Sequence, residues 1–483
     1  MVTKQNVLSN LLWRFLERCG AQFVTLLVSI ILARLLDPKV YGIIALVTVI
    51  TTILQVFVDG GFATALIQKK DADELDFSTV FYFNIISCIF VYIIVFTLAP
   101  MIANFYKMPD LTKVIRVISL IIIISGIKNV QQAYVSRNML FKRFFFATLG
   151  GTIGAAVVGI VLAYLGYGVW ALVFQMLFNT TIDTIILWIT VKWRPMRAFS
   201  IKRLKKLFSF GWKMLIANLI STVSGQLRQL IIGKMYSSDD LAFYNRGRQF
   251  PDLIVTNVNT SIDSVLFPTL SNEQDNKSRV REMTRQSIKV STYVMAPLMM
   301  GLFACADNIV SLILTDKWLP CVPYLRIFCI SFFFYPIHTA NLNAIKATGK
   351  SNVLLKLEII KNIFSVIVLL FTMHFGTLII AYGMLICSIF NQIINSLPNR
   401  TALNYTYKQQ LLDIFQNGLI GLVMGIVVYS LKWFGLNNFL TLILQIVIGA
   451  SVYIVISILS KNSSFCYILS IIELTKIGKK VKK

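Results

Sequence analysis

The stretch ILARLLDPKVYGIIAL, residues 31–46, joins two long apolar runs through a short charged corner, RLLDPK. Pro38 suits the first turn of a helix, where a backbone N–H has no partner to lose, and the residue before a proline avoids helical geometry. The corner therefore predicts a tight hairpin, in which one helix stops at Asp37 and the next begins at Pro38. The second helix keeps a carboxylate, Asp59, near its far end.

The composition extends this pattern to the whole chain. Of 483 residues, 57% are hydrophobic and only 14% are charged, and apolar runs recur from one end to the other. A run of about 18 residues or more can cross ~30 Å of hydrocarbon as a helix. The sequence thus predicts an all-α polytopic membrane protein. The first run is not a cleavable signal peptide, because Arg14, Glu17 and Arg18 interrupt it.

We predict about fourteen membrane-spanning helices, named spans 1 to 14. They cover residues 13–35, 41–66, 79–104, 114–135, 145–165, 168–191, 209–234, 242–270, 289–314, 322–344, 353–373, 377–397, 411–432 and 437–460.

Two internal sequence similarities indicate that the spans form repeats. Residues 219–247 repeat the order found at 23–46, namely apolar helix, cation, short acidic turn and tyrosine, and the basic hinge at 133–143 returns at 344–356. Two six-helix lobes of the same orientation follow, related by a pseudo-two-fold axis along the membrane normal. The predicted domains are an N-lobe (1–191), a basic cytoplasmic linker (192–208), a C-lobe (209–397), two peripheral C-terminal helices (398–460) and a basic cytoplasmic tail (461–483).

The net charge of +25 is explained by topology. Lys and Arg concentrate in the N-terminal segment, in alternate loops and in the tail, whereas the predicted outer loops contain few. These few are Lys39, Lys107, Lys113 and Lys317. Because short basic loops stay on the cytoplasmic side, we predict a multi-pass protein of the cell inner membrane with both termini in the cytoplasm. The cations lie at helix ends, so a nucleic-acid partner is not expected.

Metal, cofactor and enzyme signatures are weak. The seven cysteines are scattered without a C-x-x-C pair, and His338 and His374 lie on different spans. The pair Asp71 and Asp73 sits in a short loop, where solvation is a better explanation than a metal site. We therefore expect no cofactor, no metal and no catalytic residue. The predicted outer loops are also too short to house a glycan-transfer active site.

Polar residues at helical spacing form stripes on four of the spans. Two interpretations stay open for the hydroxyl and amide members, a water-filled path and hydrogen bonding between helices. Span 13 has no such stripe and is predicted to face lipid. The stripes are Arg14, Arg18, Gln22, Thr25 and Ser29 on span 1; Thr48, Thr52, Gln55 and Asp59 on span 2; Asn218, Ser221, Ser224 and Arg228 on span 7; and Arg246, Gln249, Thr256 or Asn257, Thr260 and Ser264 on span 8.

Some charges have an evident partner on their own helix. Arg248 with Asp252 and Glu358 with Lys361 have the spacing of intrahelical ion pairs. The remaining charges in the spans are mostly cationic, which suits an anionic passenger, since guanidinium binds phosphate with two hydrogen bonds. They are the cations Arg18, Lys128, Arg228 and Arg246 and the acids Asp59, Asp183 and Asp263.

The first hairpin, with DGGFATALIQKKD at 59–71, resembles the signature of the polysaccharide transporter family. These are Wzx-type flippases of O-antigen and exopolysaccharide, within the multidrug/oligosaccharidyl-lipid/polysaccharide exporter superfamily. The resemblance runs from about residue 5 to 460. It implies a MATE-like two-lobe fold with alternating access. It also implies a substrate, an undecaprenyl-diphosphate-linked oligosaccharide that moves from the cytoplasmic to the outer leaflet for O-antigen, capsule or exopolysaccharide synthesis.

The resemblance implies that cavity arginines engage the diphosphate, and by their stripes these are Arg18 and Arg228 or Arg246. The stripes and the charges in the spans supply the other candidates. The substrate-cavity candidates, for diphosphate and glycan, are Arg18, Lys128, Arg228, Arg246, Gln22 and Gln249. Asp59 and Asp263 are candidates for a gate or for ion coupling. A structural role for Asp59 also stays open, in which it caps a helix or pairs with Lys69 and Lys70. The expected partners are the lipid-linked oligosaccharide, membrane lipids, and a polymerase or other glycan-assembly proteins.

Two other functions stay open. A multidrug or cation antiporter would share the fold but should have an acid-rich cavity in at least one lobe. A membrane-embedded glycan polymerase would need a sizeable outer loop. A gene neighbourhood dense in glycosyltransferases would favour the flippase.

The topology can be tested by labelling. The variants Ser200→Cys and Ser278→Cys place thiols in the two most basic predicted loops. Both should react only with reagents that reach the cytoplasm. Labelling of either one by an impermeant reagent in intact cells would overturn the predicted orientation.

Overall fold

The computed structural model of the protein describes residues 4–59, 66, 72–138, 141–347 and 351–470, and the regular structure in these residues is entirely helical. Contacts divide the chain into two compact units, Met1–Ala242 and Phe243–Lys483. The first contains α1 (Lys4–Leu35), α2 (Pro38–Asp59), α3 (Glu74–Phe105), α4 (Leu111–Ile118), α5 (Leu120–Arg137), α6 (Phe141–Tyr164), α7 (Val169–Thr190), α8 (Ile201–Met235) and the start of α9 (Ser238–Asn272).

The second unit continues α9, and residues 463–470 at its end are also helical. It contains α10 (Lys277–Leu314), a 3-10 helix (Asp316–Cys321), α11 (Val322–Phe333), α12 (Tyr335–Ala347), α13 (Ser351–Thr372), α14 (Thr377–Leu403), α15 (Tyr407–Ser430), a second 3-10 helix (Leu431–Phe434) and α16 (Asn438–Leu459).

The all-α fold and the opening hairpin are confirmed. The first helix ends at Leu35 and α2 starts at Pro38. Among the described residues, nine helical segments are long and apolar enough to cross a membrane, with a shorter apolar helix at Gly20–Leu35. The count of fourteen spans stays a prediction. The long helices α8 and α9 are not among the nine segments, and both carry a predicted polar stripe.

The helices α8 and α10 begin well before the spans predicted for them. The helix α8 begins at Ile201 instead of 209, because Ser200 caps it by accepting a hydrogen bond from the Arg203 N–H. In the same way Asn276 caps α10, which begins at Lys277 instead of 289. A capping side chain satisfies backbone donors at a helix start, so helices extend beyond the apolar runs that hydropathy detects. Contacts place α8 in the first unit; the lobe boundaries 1–191 and 209–397 stay a prediction.

Spans 4 and 10 are each broken once. The first break separates α4 from α5 at Ser119, which is buried, and the second separates α11 from α12 at Phe334. Pro336 stands just after the second break and has no N–H to continue the helical ladder. Each broken helix is the fourth of its predicted repeat.

Small residues let the helices of the second unit approach closely. A Cβ built on Gly421 of α15 would lie 3.0 Å from the Ala296 Cβ of α10. The opposite face of α15 exposes Leu412 and Phe415, in keeping with a lipid-facing helix. The buried face of α15 contains two polar residues, Gln410 just before span 13 and Asn417 within it, and both form hydrogen bonds inside the second unit. Their partners are the side chain of Asn341 for Gln410, and the Lys289 carbonyl and Asn462 for Asn417.

In the first unit, α2 packs against α8 and the start of α9 through two glycines. A Cβ on Gly42 would meet the backbone of Ser238, with the Ser238 Cα at 2.8 Å. A Cβ on Gly233 would lie 3.0 Å from Cγ of Leu46, which is fully buried. Backbone cannot move aside as a side chain can, so Gly42 is the stricter requirement.

We expect Gly42→Ala to destabilise the protein by about 1–3 kcal/mol, the usual cost of overpacking. The control is Gly225→Ala on α8, where an added Cβ would meet nothing within 4 Å. That change should be neutral or stabilising, since alanine favours helix over glycine by about 1 kcal/mol. Apparent Tm in detergent measures both. Equal Tm values for the two variants would contradict the close packing.

Candidate functional site

Each unit exposes polar side chains on helices that elsewhere expose apolar ones. In the first unit, Thr48 and Asp59 of α2 and Ser221 of α8 are exposed. In contrast, the exposed face of α3 is apolar, with Ile86 and Phe90 about two-thirds exposed. Hydrocarbon accommodates the face of α3 but not the polar stripes. The stripes are therefore suited to an aqueous path.

The α9 stripe in the second unit is polar and exposed as well. Thr256, Asn257, Thr260 and Asp263 are all exposed, while Gln249, about two turns closer to the start of the helix, is half-buried. The exposed stretch therefore extends from residue 256 to 263. These hydroxyl, amide and carboxylate groups can donate and accept hydrogen bonds to a polar passenger.

The cation Lys128 does not stand alone in the first unit. Its Nζ on α5 lies 2.7 Å from Oδ2 of Asp183 on α7, and both side chains are only 15% exposed. The prediction that Lys128 has no acid partner is wrong, while its place in the substrate cavity stays a prediction. The two residues are 55 positions apart, so spacing along one helix could not have revealed the pair.

The neighbour of Lys128 links this pair to α2. Asn129 is buried and donates a 2.5 Å hydrogen bond to the Val58 carbonyl at the end of α2. The next residue, Asp59, accepts a hydrogen bond of 3.4 Å from Gln55 on its own helix. The alternative partners Lys69 and Lys70 lie outside the described residues. The fourth span thus reaches both the second and the sixth.

The second unit repeats this arrangement with neutral groups on the fourth span. Asn343 on α12 donates a 2.5 Å hydrogen bond to Asp263 on α9, and His338 of α12 contacts Asn395 on α14. Asn341 donates to Gln410 of α15 at 2.8 Å. Span 10, the fourth of its predicted repeat, thus joins span 8 to span 12, as span 4 joins span 2 to span 6. An amide and an imidazole stand where the first unit has an ion pair.

Arg246 is buried within the second unit. Its side chain is 5% exposed, donates a 2.6 Å hydrogen bond to Oε1 of Gln249, and lies 4.9 Å from the centre of the Trp318 ring. The expectation that Arg246 faces a wet cavity is therefore wrong, because burial against Trp318 removes the guanidinium from solvent. Gln249 is likewise engaged with Arg246.

The other predicted cavity residues have varied positions. Arg228 on α8 and Gln22 on α1 are half-buried. Arg18 lies in α1, but its side chain is outside the part of the chain whose side chains are described. Lys128 and Arg246 are the less exposed of the described candidates, whereas Arg228 is half-buried.

Two charge clusters were missed by sequence reasoning. Asp307 on α10 binds Arg326 at 2.6 Å and also contacts Lys432. Asp413 of α15 accepts two hydrogen bonds from Arg285 of α10, at 2.7 and 2.8 Å. Such pairs join different helices, so the periodicity within one helix does not predict them.

A tyrosine completes the Asp413 cluster from the turn between α14 and α15. This residue is Tyr405, whose hydroxyl donates a hydrogen bond of 2.9 Å to Oδ2 of Asp413. Burial and the nearby carboxylate raise the pKa of Tyr405 well above its ordinary value. The hydroxyl is therefore a permanent donor at neutral pH.

The intrahelical pairs are confirmed. Arg248 lies 4.0 Å from Asp252, and Lys361 lies 2.5 Å from Glu358. Asp73 caps α3 and contacts Arg203. Asp71 lies outside the described residues. Within those residues, no group of three or more His, Cys, Asp or Glu side chains could hold a metal ion.

The nine apolar helical segments define the class, a multi-pass α-helical membrane protein. Residues 31–323, more than half of the chain, match the family described as polysaccharide biosynthesis protein. The protein belongs to that family, and the resemblance seen in the first hairpin is confirmed.

Curated relatives are similar to this chain in sequence, and a solved structure is similar to it in fold. The teichuronic acid biosynthesis protein TuaB of Bacillus subtilis (strain 168) is 25% identical over 84% of this chain and 85% of its own length. The succinoglycan biosynthesis transport protein ExoT of Rhizobium meliloti (strain 1021) is 24% identical over 96% of this chain and 94% of its own. The lipid II flippase MurJ in an inward closed conformation shares the fold, with a TM-score of 0.77 and 17% identity over 94% of this chain and 99% of its own.

The buried pair of Lys128 and Asp183 should stabilise the first unit. Lys128→Met or Asp183→Asn alone leaves a buried charge without its partner, which we expect to cost about 2–4 kcal/mol. The double variant should recover most of that loss. Apparent Tm values in a double-mutant cycle measure the coupling, with the exposed Lys202→Met as the control. Additive losses would contradict a structural pair.

Proposed function

We propose that this protein is a flippase for lipid-linked oligosaccharides. It moves an undecaprenyl-diphosphate-linked glycan from the cytoplasmic to the outer leaflet of the cell inner membrane by alternating access, with both termini in the cytoplasm. The protein is a transporter and not an enzyme. The observation that carries this proposal is the exposure of polar stripes on α2, α8 and α9, in a chain that belongs to a polysaccharide biosynthesis family.

The chemistry of the passenger fits these stripes. A glycan presents hydroxyl groups, which pair with hydroxyl and amide side chains such as Thr48, Thr256 and Asn257. A diphosphate presents anionic oxygens, which suit a guanidinium. Arg228 is our candidate for that contact, while Lys128 and Arg246 support the helices around the path. The polyprenyl tail is compatible with the surrounding lipid.

The relatives support the same reading. One is named for the biosynthesis of teichuronic acid and another as a transport protein of succinoglycan biosynthesis. Export of a glycan built on a cytoplasmic lipid carrier requires a protein that carries its polar part through the membrane. Polysaccharide biosynthesis and a membrane-transporter fold are thereby reconciled.

A cation antiporter remains the second candidate, because two acids lie on exposed stripes. Asp59 and Asp263 are both exposed, one in each unit. An exposed carboxylate within a membrane helix could bind a cationic drug or a coupling ion. Transport of an organic cation by the purified protein, with no movement of a polyprenyl-diphosphate glycan, would favour this candidate.

The role of Arg228 can be tested in proteoliposomes. Losing one charge-assisted contact costs about 1.5–3 kcal/mol, so Arg228→Ala should weaken substrate affinity by roughly ten- to a hundred-fold. Arg228→Lys should be impaired less, since it keeps the charge but loses the planar fork. The assay measures flipping of a defined polyprenyl-diphosphate glycan. The control is Arg248→Ala, which removes a cation that pairs with Asp252. Normal transport by Arg228→Ala would contradict the proposed contact between Arg228 and the diphosphate.

Arg246→Ala should have a different effect. Because this guanidinium is buried against Trp318, its loss should lower the amount of folded protein in the membrane more than the transport rate per molecule. Membrane abundance and flipping per molecule, measured together, distinguish an effect on folding from an effect on transport. Normal abundance with lost flipping would instead give Arg246 a direct role in transport.

A further inference from the structure

The segment between α7 and α8 is held firmly against the first unit. We name residues 192–205 the connecting segment; it is extended as far as Ser200 and then forms the first turn of α8. Trp193 is buried against Phe77, Phe81 and Tyr134, with ring centres 5.9 to 6.3 Å apart. Its carbonyl accepts a 3.1 Å hydrogen bond from Gln131.

The start of α3 fixes the rest of the segment. The Met196 N–H donates to Oγ of Ser78 at 2.9 Å, and the Ser200 N–H donates to Oγ1 of Thr79 at 3.2 Å. Arg203 contacts the carboxylate of Asp73 and lowers the pKa of Asp73 to about 2, so this pair is ionised at neutral pH. The segment is thus ordered before any partner arrives.

The outward face of the segment is both apolar and cationic. Met196, Phe199 and Ile201 are 44%, 47% and 63% exposed. Exposed cations stand before, between and just beyond these three residues. These are Lys192, Arg194, Arg197, Lys202 and Lys205. No acid occurs from residue 192 to 238.

The same mixture continues onto α8. Ile201, Lys205, Phe208 and Trp212 are all exposed and follow one another at spacings of four, three and four, so they lie on one face of the helix. Exposed aromatic and aliphatic side chains are unfavourable in water, yet they suit the boundary between headgroups and acyl chains.

The position of the segment agrees with that boundary. Lys192 comes two residues after the end of α7, a helix long and apolar enough to cross the membrane. At ~3.5 Å per residue, it can lie no more than about 7 Å beyond that end. Lys192, the first of these cations, is therefore close to headgroup level.

We propose that the connecting segment is a binding surface for anionic phospholipid headgroups of the cytoplasmic leaflet. The cations complement the phosphates, and Met196, Phe199 and Ile201 enter the acyl boundary. Because Trp193, Ser78 and Thr79 already hold the backbone, binding orders little further chain. The surface is spread over many residues, which suits a layer of headgroups better than one diphosphate. It depends on the cytoplasmic orientation and not on the identity of the transported glycan.

Lipid binding can be measured on the full-length protein in nanodiscs of phosphatidylcholine with increasing phosphatidylglycerol, by native mass spectrometry of the lipids retained. The test variant is Arg197→Gln/Lys202→Gln/Lys205→Gln. The control variant, Lys277→Gln/Arg279→Gln/Arg281→Gln, removes the same charge from the start of α10, where no large apolar side chain is exposed. Apparent Tm checks that both variants are folded.

The wild-type protein and the control should retain phosphatidylglycerol in preference to phosphatidylcholine. The affinity of the test variant for phosphatidylglycerol should be lower by roughly tenfold or more. Arg197→Lys, which keeps the charge, should retain binding. Equal retention by the wild-type and test variants, or an equal loss in the control variant, would overturn the proposal. So would displacement by soluble diphosphate without any preference for phosphatidylglycerol, which would indicate a single diphosphate site instead. A flipping assay of the test variant is separate, since lost lipid preference with intact transport leaves the proposed function unaffected.

Discussion

The hydrocarbon interior of a membrane offers no hydrogen bonds, and the structure of this protein follows from that constraint. Several buried amide side chains meet partners on other helices. Asn84 donates to the Gly126 carbonyl at 3.2 Å in the first unit, and Asn308 donates to Gln445 at 2.9 Å in the second. Polar groups that stay exposed gather in stripes. The same constraint therefore produces both the helix contacts and the faces that suit a polar passenger.

The two units meet this constraint with different chemistry. In the first, the fourth span carries Lys128, paired with Asp183 of the sixth span. In the second, it carries His338 and Asn341, which contact the amides of Asn395 and Gln410. An ion pair needs both partners to stay charged, whereas amides are neutral at every pH. The repeated helices thus share a scheme of connections but not its residues.

Exposure separates the cations that could meet substrate from those that support the fold. Lys128 is nearly buried with Asp183, and Arg246 is buried with Trp318. Arg228 is half-buried on a striped helix. The distinction matters for the proposed transport, because a substrate contact must be broken again at the other leaflet. A guanidinium fixed inside a unit cannot serve that purpose.

The sequence by itself determined the features that depend on local order along the chain. Hydropathy and the corner before Pro38 predicted an all-α membrane fold and its first hairpin, and spacings of three and four predicted the pairs of Lys361 with Glu358 and Arg248 with Asp252. These features need only one helix, whose period is known in advance. Stripes on α2, α8 and α9 were visible for the same reason.

Only the tertiary structure decided which distant residues meet. The partner of Lys128 lies 55 positions away, and that of Arg285 lies 128 positions away. The burial of Arg246 depends on Trp318, which belongs to another helix. Such contacts are set by how helices pack, and packing sums many weak long-range terms that leave no period in the sequence. The sequence could thus predict which helices carry the polar stripes of the candidate path. The role of each charged side chain could be assigned only from the tertiary structure.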